Sequence, residues 1–107
     1  MATKKSSPPA VDAIDTILKA RQTTHGTFAV HAAIAQALKR TMRFDNNGNQ
    51  RESWLTLDDD MAEALEMNQH KVARILAGDP TVIDHWDDIA GYAKLVADRL
   101  RNAKTKS

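Results

Sequence analysis

Apolar residues recur at three- and four-residue intervals through every long segment of this chain and nowhere alternate over a sustained run, so the pattern has the period of a helix and not of a strand. Val11, Ile14, Ile17 and Leu18 mark a short first helix. Phe28, His31, Ile34, Ala35, Leu38 and Met42 form one stripe of a second helix spanning about 27 to 43. A third, starting between 57 and 59, carries Met61, Ala64, Leu65, Asn68, Val72 and Ile75 as its expected core stripe. The fourth runs from near 81 to about 102, with Trp86, Ile89, Ala90, Ala93, Val96, Ala97 and Leu100 on one face. Gly26, the turn formers Asp45 to Asn49, and the stop signal Gly78-Asp79-Pro80 separate the segments. The expected fold is all-α: a small bundle of about four helices with a C-terminal helical hairpin.

A chain of 107 residues holds one domain at most. Residues 1–9, rich in Ser, Pro and Lys, read as a disordered basic head, 10–102 as the helical domain and 103–107 as a disordered tail. No stretch has the roughly 18 uninterrupted apolar residues of a membrane span, and the N-terminal residues lack the apolar segment of a secretory signal, so a cytosolic protein is expected. With no cysteine, chemistry falls to carboxylates, histidines, hydroxyls or lysines. The formal net charge of +1 is unevenly spread. Lys4, Lys5, Arg101, Lys104 and Lys106 lie at the ends, leaving ten Lys and Arg against fourteen Asp and Glu in the body. An acidic body argues against specific nucleic-acid binding, and no candidate recognition helix has a basic face. Ser53, the one serine within the body, lacks the context of a catalytic nucleophile.

Several polar residues stand where helical packing does not require them. His31 and Asn68 sit inside apolar stripes, either as satisfied core residues or as two walls of one polar pocket. On the fourth helix Asp84, Asp87 and Asp88 cluster with Gly91, a glycine whose cost in a helix interior suggests close packing there. Glu63 and Glu66 form a second carboxylate pair on the neighbouring helix, although the wheel turns them away from its core stripe. Such carboxylates can hold a hard cation such as Mg²⁺, facing pairs on adjacent helices being how bundles hold metals, or serve as solvated acidic faces. Lys71 and Arg74, with His70 beside them, can hold a phosphate or simply aid solubility. Small-residue tracks (Ala32, Ala33, Ala35 and Ala37; Ala90, Gly91, Ala93 and Ala97) permit close helix approach, and so small a domain gains stability by pairing with itself; a homodimer is expected.

The strings Thr24-His25-Gly26-Thr27-Phe28, His70-Lys71-Val72-Ala73-Arg74-Ile75 and Asp84-His85-Trp86-Asp87-Asp88-Ile89-Ala90-Gly91-Tyr92 resemble a family of small, mostly uncharacterised phage and prophage proteins. More distantly, the chain is similar to the all-α, MazG-like nucleotide pyrophosphohydrolases, which hold Mg²⁺ on paired carboxylates. That likeness implies a phage accessory protein in the host cytoplasm with a nucleotide-binding fold and a Mg²⁺-dependent pyrophosphohydrolase activity. It implies metal ligands among Asp84, Asp87, Asp88, Glu63 and Glu66. It also implies nucleotide contacts from His25, His31, Lys71, Arg74 and Tyr92. The chain departs from the pattern: counting back from Asp88, the glutamate position holds His85, and only the shifted pair Asp84 and Asp87 restores the spacing. The alternative keeps the fold without the chemistry, as a protein that binds a nucleotide or a host protein to inhibit a bacterial defence system. The acidic run Asp58, Asp59 and Asp60 then offers a surface for a basic partner. A plain helical scaffold is the third reading.

Overall fold

In the computed structural model, residues 13–20 and 26–106 are described, with side chains through 104. The expected head, the first residue of the first stripe, Val11, and His25 lie outside them. Residues 13–20 are helical (α1), and Ile14, Ile17 and Leu18 are exposed along it. Helix α2 spans Phe28–Arg43. Thr27 opens it with extended backbone while its Oγ1 accepts a hydrogen bond from the Val30 N–H at 3.3 Å, so the expected start holds to one residue. In the following loop the Asp45 carboxylate accepts from the Asn47 and Asn49 N–H groups at 2.9 and 3.0 Å, and Gly48 takes φ +82. One isolated bridge joins Phe44 to Gln50, and no strand forms among the described residues.

A four-residue helix, α3 (Glu52–Leu55), precedes the long α4 (Asp59–Ala77), and α5 (Ile83–Lys106) completes the hairpin. The fold is the expected small all-α bundle. Within the hairpin turn, Asp79 Oδ1 accepts from the Thr81 N–H at 2.8 Å and from its hydroxyl at 2.6 Å, and Trp86 Nε1 donates to the Pro80 carbonyl at 2.8 Å. Helix α5 continues past Asn102 to Lys106, taking 103–106 out of the expected tail. No glycine or proline interrupts that stretch, and its cationic residues suit a helix C-terminus.

Helix α4 packs against α2 on one flank and α5 on the other. Glu66 and His70 reach α2, whereas Lys71 and Asp60 reach α5. At 100° per residue these two directions are separated by about 110°, and α2 and α5 share no substantial contact, so the small bundle is open, with its three long helices side by side in one layer. Small side chains fill the contacts: Ala35, Ala64 and Ala73 are the buried apolar residues among those described, and no large side chain is fully buried. The expected core stripes need correcting accordingly. Leu65 is 46% exposed because the α4 stripe lies between its two flanks and is covered by neither neighbour, and Trp86, on α5, is 54% exposed. Ala35 from the α2 small-residue track serves the contact within the chain, and Gly91 has open space where close packing was expected.

Gly26 has φ +77 and sits against the end of α4, where an added Cβ would collide with the Ala77 carbonyl. Gly48 has a similar φ but nothing nearby. Gly48→Ala should therefore cost only the left-handed penalty of about 1–2 kcal/mol, and Gly26→Ala clearly more, as read by urea denaturation.

Candidate functional site

The polar side of the layer gathers at the hairpin end. Relative to Asn68, His70 and Arg74 point about 200° and 240° round α4, opposite the apolar stripe. From the first turn of α2, His31 meets His70 edge to face, with ring centroids 4.8 Å apart. The His31 Nδ1 is buried and has no hydrogen-bond partner among the described residues. From α5, Asp88 accepts the Lys71 ammonium at 2.8 Å, and the Lys71 side chain is only 13% exposed. Beside this pair lies His85, 2% exposed. Arg74 makes no ion pair among the described residues, yet its charge acts on all three histidines and on Asp88.

Two helix N-termini face the same end. Gly26 brings the start of α2 against the last turn of α4, and α5 begins after the turn that follows it. Both bring the partial positive charge of a helix N-terminus; α2 has no acidic residue in its first turn to offset it, whereas α5 carries Asp84 there. The electrostatics follow from this. Burial, then the charges of Arg74 and Lys39, hold His31 below the usual histidine range. Burial and the same cations, with His31 and Lys71, push His70 down to about 4. His85 is lowered by burial first, then by Lys71 and Arg74, against the opposing pull of Asp88 and Asp84. The hydrogen bond from Lys71 keeps Asp88 below the usual carboxylate range. Three imidazoles are thus neutral at pH 7 because the site is already cationic and poorly hydrated.

The carboxylates are not brought together. Glu66 pairs with Arg43, whose guanidinium lies 4.7 Å from the Trp54 ring centroid, while Glu63 is exposed. Asp84 and Asp87 are exposed, and Asp88 is held by Lys71. Among the described residues no three His, Asp or Glu side chains converge as metal ligands. Of the expected nucleotide contacts, His31, Lys71 and Arg74 come to the same end. Tyr92 lies with Asp87, Asp88 and Gly91 along a shallow groove on α5. In the acidic run, Asp58 and Asp60 grip Arg99 of α5 at 2.8 and 2.7 Å, leaving Asp59 as the exposed member without such a bond. Lys39 and His85 were missed as site residues. The spacing of His85, Ile89, Tyr92 and Val96 marks a helix face, but the more apolar neighbouring face outweighed it.

No family model, curated protein or solved structure matches the chain.

The depressed histidines fix a pH dependence. Unfolding releases them to a normal value near 6.5, so the unfolded chain binds more protons between that value and about 4. Stability is full above pH 6.5 and is lost as pH falls through that window. The thermal midpoint should drop between pH 7 and pH 5, and His70→Gln should flatten the drop.

Proposed function

We propose that the chain binds a phosphate-bearing ligand, a nucleotide in particular, at the hairpin end of its helical layer. One observation carries the reading: Arg74, Lys71 and Lys39 surround three neutral histidines, with Asp88 as the carboxylate paired among them. An anion there neutralises a cationic, half-buried site instead of adding to a balanced one. Arg74 offers a planar fork to phosphate oxygens, Lys71 a point charge, and the N-termini of α2 and α5 add backbone N–H groups. The imidazoles, being neutral, can each donate one N–H and accept a proton as the anion arrives.

A nucleotide is favoured over free phosphate by Phe28. Its ring is 79% exposed and lies 6.3 Å from that of His31, so an unused aromatic face stands at the mouth of the site, where a base can stack. The likeness to small phage proteins supports an accessory role in an infected cell. Binding, and not hydrolysis, is the activity these residues support, since the carboxylates that the MazG likeness calls for are engaged by Lys71 and Arg43 or point to solvent. The host-protein reading has less to stand on, because two of the three aspartates in the acidic run already hold Arg99.

Calorimetric titration with ATP, ADP and inorganic phosphate tests this. Losing a charge-assisted hydrogen bond of about 1.5–3 kcal/mol, Arg74→Ala should weaken every one of these ligands by roughly 10- to 150-fold. Phe28→Ala should weaken the nucleotides alone. Unchanged affinity in Arg74→Ala, or no binding of any of the three, rejects the proposal.

A further inference from the structure

The opposite side of the layer is apolar and open. Two continuous grooves run along it, one between α2 and α4 past Leu38 and Val72, the other between α4 and α5 past Val96 and Leu100. Leu65 and Asn68 border both and so stand at the centre of the face. Neither groove has a charged residue in its lining. A contiguous apolar surface of this kind on a folded chain marks a place where something else packs.

We infer that the occupant is a second copy of this chain, docked face to face about a twofold axis that passes near Asn68. Four observations point to that occupant. First, domains consist of two packed layers around a core, and these helices supply one layer whose large apolar side chains are not fully buried. A second copy supplies the other layer.

Second, the areas agree. Helix α4, of 19 residues, is about 28 Å long, and three helices at 8–10 Å spacing span roughly 25 Å. The face therefore measures about 700 Å², close to the roughly 800 Å² per partner of a stable interface. A single helix, about 10 Å wide, such as α1 with its exposed Ile17, would leave most of it uncovered.

Third, Asn68 Oδ1 is buried without a hydrogen-bond partner among the described residues. A carboxamide carries donor and acceptor together, so two copies related by a twofold axis can satisfy each other after rotation about χ2. A buried asparagine on an otherwise apolar helix face fixes register and oligomeric state at the expense of some stability. Fourth, the α5 edge of the face carries an ion-pair network of both signs, Arg99 with Asp58 and Asp60. A rim of mixed sign suits a self-complementary contact better than a strongly charged partner. The nucleotide site lies on the other side of α4, so the two proposals stand or fall separately.

The absence of cysteine in the chain makes the test direct. In sedimentation equilibrium at micromolar concentration the intact chain should have twice the mass of one copy. Asn68→Cys should form a disulfide-linked dimer under mild oxidation, whereas Glu63→Cys, on the opposite side of α4, should remain uncrosslinked. A monomeric intact chain, or crosslinking through residue 63 in place of residue 68, overturns the inference. So does a monomer in which a spin label at residue 68 lies close to one at residue 17, which would show the N-terminal helix covering the face.

Discussion

Helix α4 has neighbours on two separate flanks, and that arrangement governs the rest of the molecule. A helix with one neighbour can bury one stripe, and a helix inside a closed bundle can bury most of its circumference. With α2 and α5 on either side, α4 buries Ala64, Gln69 and Ala73 and leaves two broad faces. The contacts are close because they are made by alanines, which hold the helices together at short range but bury little area. What remains is a polar face, with His70 and Arg74, and an apolar one, with Leu65, Asn68 and Val72.

The two faces differ in chemical character. On the polar side, cations are concentrated where two helices begin, and burial keeps the histidines neutral instead of adding to the positive charge. That is a poor arrangement for an empty site and a good one for an anion. On the apolar side, the uncharged grooves offer nothing to a small ionic ligand and a large area to a similar surface. A second layer docked there would leave the polar face open, so the proposed assembly and the proposed ligand site would not compete for the same residues.

Much of the fold was legible because helices advertise themselves by period. The Thr27 cap, the Gly78 stop and the stripe on α4 are local signals, and local signals survive into the folded state. What the stripe could not reveal was its neighbour: Met61, Leu65, Asn68 and Val72 are an apolar row in either case, and only the placement of α2 and α5 decides that the row stays open. The same limit applies to His85. It is among the most buried residues described, yet its stripe is one residue away from the more apolar stripe of Trp86 and Ala93. The basic cluster was partly legible, since Lys71 and Arg74 share one helix face. The contributions of His31 and Lys39 depend on α2 crossing that face, a long-range fact with no local trace. The acidic residues mislead for the converse reason: their spacing fits a metal site, but Arg43, Lys71 and Arg99 arrive from elsewhere in the chain to occupy Glu66, Asp88, Asp58 and Asp60.

If one layer is only half of the folded core, the stability of the chain is tied to its concentration by mass action. The most direct measurement is the thermal unfolding midpoint followed by circular dichroism from low to high micromolar concentration at pH 7. The account predicts a midpoint that rises steadily with concentration, with unfolding and dissociation in one transition. A midpoint that stays constant across that range would contradict it, showing that the single layer is stable by itself.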